Sequence, residues 1–93
     1  MAMLTGRRIK VALSAVPQWK KAGARIGREF EFGDFLTAMR FVNRVARLAE
    51  RQAHHPDIDI RWNRVALALS THDQGGLTEK DFELARRIDR LLQ

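Results

Sequence analysis

A chain of 93 residues with 45% hydrophobic side chains is long enough for one small domain with a modest core, and too apolar for a disordered segment. It has no cysteine, which excludes a disulfide framework, a thiolate nucleophile and a cysteine-ligated metal and fits a reducing cytoplasm. Arginines break up the apolar pattern of "MAMLTGRRIKVALSAVPQW", so neither a signal peptide nor a membrane span is expected there, and the chain reads as soluble and cytoplasmic.

The net charge of +6 is unevenly spread. Residues 1–53 carry 11 basic and 4 acidic side chains (+7), and residues 54–93 carry 6 and 7 (−1). A basic half can attract nucleic acid or anionic metabolites. No helix-turn-helix or RNA-binding signature accompanies the charge, so it reads as a solvated arginine-rich face, and nucleic acid is not an expected partner.

The first element is a helix over residues 6–15, with Ile9, Ala12, Leu13 and Val16 at helical spacing and Pro17 closing it. Arg7 and Arg8 in its first turn oppose the helix dipole. "QWKKAGARIGREFEF" then turns near Ala22–Gly23 and alternates, with Ile26, Phe30 and Phe32 on one side and Arg28 interrupting them. That pattern predicts a half-buried antiparallel hairpin.

Asp34 is placed to N-cap the longest helix. Its expected buried stripe is Phe35, Ala38, Met39, Val42, Val45, Ala46 and Ala49, widened by Phe41 and Leu48, with Arg40, Asn43, Arg44, Arg47 and Arg51 opposite. Pro56 ends the helical pattern and biases His55 away from helical geometry.

Beyond the proline, Ile58, Ile60 and Trp62 share one parity, and Val65, Leu67, Leu69 and Thr71 the other. A two-residue turn at Asn63–Arg64 reconciles them, with Trp62 facing Val65, Ile60 facing Leu67 and Ile58 facing Leu69. The same register brings His55 and His72 together at the open end of the hairpin, with His54 beside them. The last helix is announced by Thr78 as N-cap, Asp81 completing a capping-box-like T-x-x-D, and Leu77 and Phe82 at the hydrophobic-staple positions. Its buried stripe is Leu84, Ala85, Ile88, Leu91 and Leu92. The order is α-β-β-α-β-β-α, and the fold class is α+β: one antiparallel four-stranded sheet with three helices on one face, in a single domain over residues 1–93.

The three histidines are the chemical signal. Imidazole exchanges protons near pH 7 unaided, so two rings flanking a substrate could protonate a leaving hydroxyl and remove a proton nearby, which is what a dehydration requires. Neither G-x-S-x-G nor a P-loop is present. Three histidines and a water could also hold zinc, but adjacent helical residues point about 100° apart and the H-E-x-x-H spacing is missing. Read locally, His54 or His55 could simply cap a helix end, Asp81 could be a cap only, and Trp19 and Trp62 could be core or edge aromatics.

The segment from Arg25 to Leu92 resembles the pterin-4a-carbinolamine dehydratase family, and the resemblance covers nearly the whole chain, weakening over the first fifteen residues. It rests on E-x-x-x-H-H-P-D (Glu50, His54, His55, Pro56, Asp57), the aromatic Trp62, and T-H-D-x-G-G-L-T-x-x-D (Thr71, His72, Asp73, Gly75, Gly76, Leu77, Thr78, Asp81). It implies the same fold and dehydration of 4a-hydroxytetrahydropterins, the spent cofactor of aromatic amino acid hydroxylases, to quinonoid dihydropterins. It also implies His54 and His72 as the acid–base pair, His55 orienting the pterin, Glu50, Pro56 and Asp81 lining the pocket, and Trp19 near its wall. No metal or cofactor is implied, since the pterin is the substrate. Relatives form dimers or tetramers, and some animal relatives also act as dimerisation partners of a transcription factor, which leaves a non-catalytic interaction module as the alternative. "TGRRIK" departs from the acidic opening that relatives often carry.

Overall fold

The computed structural model describes residues 2–93. The elements follow the expected order: α1 (Gly6–Ser14), β1 (Lys20–Ala22), β2 (Arg25–Glu31), α2 (Phe35–Gln52), β3 (Asp57–Arg61), β4 (Arg64–Leu69) and α3 (Glu79–Arg90), with a 3-10 turn at His72–Gln74. The strands form one antiparallel sheet in the order β1-β2-β4-β3. Its inner face contributes Ile26, Phe30, Val65, Leu67 and Leu69 to a core completed by Val16, Trp19, α2 and α3. Among the described residues, no helix is long and apolar enough to cross a membrane.

The helix starts follow their capping chemistry. Asp34 accepts the Thr37 N–H at 2.8 Å, and Thr78 and Asp81 form a reciprocal capping box at the start of α3. Leu77 and Phe82, the staple pair, are both buried. At α1, Thr5 supplies the cap by accepting the Arg8 N–H at 3.3 Å.

Four sequence expectations are corrected. The β3–β4 turn lies at Trp62–Asn63, with Arg61 opposite Arg64, Ile60 opposite Val65 and Ile58 opposite Leu67, two residues out of the expected register. Asn63 is the reason: its side-chain amide donates to the Phe32 carbonyl at 2.8 Å and its own carbonyl accepts the Phe32 N–H at 2.9 Å, which ties it to the end of β2. Trp62 is left at positive φ (55°) in the first turn position, where a type II′ turn ordinarily takes glycine, and it is 69% exposed instead of joining the apolar face.

On α2, Phe35 and Ala46 are exposed, and the buried set is Ala38, Phe41, Val42, Val45 and Ala49. Phe41 decides the rotation, because its ring packs 4.7 Å from Phe30 and 5.0 Å from Phe32. The first hairpin turns one residue later than expected, at Gly23–Ala24, with Gly23 at φ 61°. Leu92 lies past the end of α3 and is exposed.

Candidate active site

The residues between α2 and β3 form one wall of a cleft. Helix α2 ends in a Schellman-type closure, with the Ala53 N–H bonded to the Glu50 carbonyl (3.3 Å) and the His54 N–H to the Ala49 carbonyl (3.1 Å). Ala53 is forced into the left-handed region (φ 52°). This reverses the chain sharply, so His54 turns inward and His55 outward. The opposite wall follows β4. Thr71 and Gly76 bridge the base of a loop through backbone bonds of 3.1 and 3.3 Å. Within it, His72 opens the 3-10 turn, whose carbonyl accepts the Gly75 N–H at 3.0 Å. Gly75, at φ 77°, supplies the backbone that closes this turn.

Ala53, His54, His55, Ser70, Thr71, His72 and Asp73 line the resulting cleft, about 300 Å³ in volume. That is the lower end of the range for small-molecule sites. All three histidines border it, although the register that suggested their meeting is not the observed one. A shift of two residues preserves the parity of every side chain, and the loop closures on both sides bring the rings together.

The other candidates sit in different relations to the cleft. Asp81 lies beneath His54: it is fully buried, and its Oδ1 is 2.6 Å from His54 Nε2. Its Oδ2 accepts the Thr78 N–H and the Thr71 hydroxyl, each at 2.9 Å. His54 is itself only 9% exposed. Glu50 Oε2 lies 2.6 Å from His55 Nε2, with both side chains largely in solvent. Pro56 is half-buried next to His55. Trp19 is not among the lining residues. Its indole N–H donates to Asp89 Oδ1 at 2.8 Å, and Asp89 is eight residues beyond Asp81 on α3, about 12 Å at 1.5 Å per residue.

Ser70 and Ala53 line the cleft without having been singled out from sequence. Thr71 and Asp73 stood in the family motif without a role, and their positions flanking His72 were the signal available. Among the described residues, no three His, Asp or Glu side chains are grouped so as to hold a metal ion.

Comparison with known proteins identifies a family. The family model described as pterin 4 alpha carbinolamine dehydratase matches residues 2–91. A relative from Acidobacterium capsulatum is 59% identical over 92 residues, covering 99% of this chain and 100% of its own. One from Chloroflexus aurantiacus is 51% identical over 92 residues, covering 99% of each. Both bear the provisional name pterin-4-alpha-carbinolamine dehydratase. Among solved structures, a Brucella melitensis protein described as a transcriptional coactivator/pterin dehydratase superposes with a TM-score of 0.93 at 36% identity, covering 98% of this chain and 99% of its own. A pterin dehydratase-like protein described as a RuBisCO assembly factor in the alpha-carboxysome shares the fold, with a TM-score of 0.64 at 24% identity over 78% of this chain and 84% of its own.

Proposed function

Because the chain belongs to the pterin 4 alpha carbinolamine dehydratase family, we propose that it dehydrates a 4a-hydroxytetrahydropterin to the quinonoid dihydropterin by histidine acid–base catalysis, serving to recycle the tetrahydropterin of aromatic amino acid hydroxylases. The observation that carries this reading is the cleft bordered by His54, His55 and His72. Dehydration moves two protons, one onto the departing 4a-hydroxyl and one off a neighbouring ring nitrogen. His54 and His72, on opposite walls, are the pair for these transfers. His55, oriented by Glu50, contacts the pterin edge, and Pro56 bounds the floor beside it. Asp81 acts on the site through His54. No metal or cofactor enters the scheme. The protein works as a cytoplasmic homodimer or homotetramer.

The test is turnover of a carbinolamine generated in situ by a hydroxylase. A positioned acid or base contributes about 10²–10⁴ in rate, so His54→Ala and His72→Ala should each reduce turnover by at least the lower figure while the oligomer persists in sedimentation. Wild-type turnover in either variant rejects the roles assigned.

A second reading has one observation in its favour: the Brucella melitensis relative is described as a transcriptional coactivator as well as a dehydratase. On that reading the fold serves as a dimerisation module and the histidine variants lose nothing. The same turnover assay separates the two.

A further inference from the structure

We infer that Thr71 and Thr78 are positioning residues which, through Asp81, hold His54 as its Nε2–H tautomer, so that Nδ1 is the nitrogen offered to substrate. The inference rests on the dehydratase reading for its chemistry, but its geometry stands apart from it. Asp81 Oδ2 takes the Thr78 amide N–H and the Thr71 hydroxyl, each at 2.9 Å. An amide N–H can only donate, and Thr71 has a single hydroxyl proton. With that proton committed to Asp81, the 2.8 Å contact between the Thr71 and Thr78 hydroxyls has one possible polarity: Thr78 donates. Thr78 Oγ1 in turn accepts the Lys80 N–H at 3.3 Å.

The chain therefore runs one way, from the Lys80 amide through Thr78 and Thr71 into the carboxylate. Asp81 Oδ2 thus accepts two donors, and the group acts as a carboxylate, which only accepts. The 2.6 Å contact between Oδ1 and His54 Nε2 must then be donated by the ring. In a neutral imidazole that leaves Nδ1 bare. Among the described residues, Nδ1 has no protein partner, and no buried side-chain nitrogen or oxygen is left without one. Nδ1 is therefore open to solvent, on the cleft that His54 lines.

This polarity assigns the proton transfers. Nδ1 takes the proton from the pterin ring nitrogen next to the hydroxyl-bearing carbon. The electron pair of that N–H bond becomes the new C=N bond, and the C–O bond breaks with its pair on oxygen. His72 protonates the departing oxygen to give water. The imidazolium formed at His54 faces the Asp81 carboxylate, and solvent resets both rings.

Nitrogen-15 NMR of the histidine rings in the full chain reads the tautomer directly, with no need for substrate. The expected result is a neutral His54 carrying its proton on Nε2. Asp81→Asn should reverse it, because an amide that still accepts from Thr71 and Thr78 through oxygen presents NH₂ to His54 Nε2 and drives the ring proton to Nδ1. With the bare nitrogen turned inward, kcat should fall at least about a hundredfold and KM should change little. Thr71→Val should give mixed tautomers and a fall in kcat of about tenfold, and Thr71→Ser should restore both. The wild-type and Asp81→Asn spectra decide the matter even if valine at residue 71 disrupts folding. A wild-type ring protonated on Nδ1, or an unchanged tautomer in Asp81→Asn, overturns the inference. Absence of turnover by a wild type that shows the Nε2–H tautomer removes the dehydratase reading and leaves the positioning chain standing.

Discussion

Arg28 lies between Ile26 and Phe30 on the inner face of β2, where a charge is out of place by pattern alone. Its guanidinium stacks over the Phe30 ring, 4.5 Å from the centroid, and donates to Asp89 Oδ1 at 2.7 Å. The same oxygen accepts the Trp19 indole N–H at 2.8 Å. No local signal could have found this arrangement, because Arg28 and its acceptor are 61 residues apart. The two ends of the contact differ in consequence. Removing Asp89 leaves a buried indole N–H and a partly buried guanidinium both unpaired, whereas removing the guanidinium leaves Asp89 still satisfied by Trp19. Asp89→Ala should therefore cost about 2 kcal/mol, and Arg28→Met less than about 1 kcal/mol. Urea denaturation measures both, and a larger loss for Arg28→Met would mean that the cation and the ring, not the indole bond, hold this corner. The site repeats the lesson. His54, His55 and His72 were readable because each is a rare residue in a telling context. The Thr71–Asp81–His54 connection was not, because Asp81 already had a sufficient local explanation as a cap.

At the scale of elements, what was legible depended on how local the cause was. The caps at Asp34 and Thr78 and the stop at Pro56 are decided within one turn of chain, and each element they bound was expected. Register is decided by what a strand meets. The parities of Ile58, Ile60, Val65 and Leu67 fixed which face is buried, but any slip of two residues satisfies them equally. The bonds from Asn63 to Phe32, 31 residues earlier, accompany the observed pairing and tie the turn to the end of β2. Two consequences can be measured. The Asp34 carboxyl is held below the usual aspartate value, chiefly by the Thr37 side chain, then by the Thr37 N–H, with Arg40 adding to it against a small effect of burial. A depressed folded value means that its stabilisation is fully present above the unfolded value, about pH 4, and is lost as pH falls through the folded one. Asp34→Ala should lower Tm at pH 7, and the gap to wild type should close below about pH 4; a gap that persists at pH 2 would show that the charge is not what caps α2. The second concerns Ala53 at φ 52°. A left-handed alanine is strained by about 1–2 kcal/mol, and glycine there costs about 0.5–1 kcal/mol in chain entropy. Ala53→Gly should stabilise the fold by about 0.5–1 kcal/mol, read as a higher urea midpoint with unchanged slope.

Across the whole molecule, charge and apolar surface are segregated, and the segregation bears on how two copies would meet. Every carboxylate of β2 and β3 is paired: Glu29 and Glu31 with Arg64, Asp57 with Arg25, and Asp59 with Arg61. Helix α2 is different. Arg40, Arg44, Arg47 and Arg51 run along its exposed face, and among the described residues none forms an ion pair. Two such rows laid against each other would repel, so α2 is a poor seat for a second copy. The β3 edge of the sheet is a better one. β3 has a neighbour on one side only, and its inward residues Ile58 and Ile60 are each 38% exposed at the margin of the core. An edge strand is what proteins pair or protect, and in β3 the two isoleucines alternate with Asp57, Asp59 and Arg61, whose charges are already paired. A second copy along β3 would cover both isoleucines and satisfy the open row of backbone groups. The double variant Ile58→Lys/Ile60→Lys should therefore sediment as a monomer, and Arg40→Glu/Arg44→Glu should keep the wild-type mass. The reverse outcome would move the self-association surface to α2.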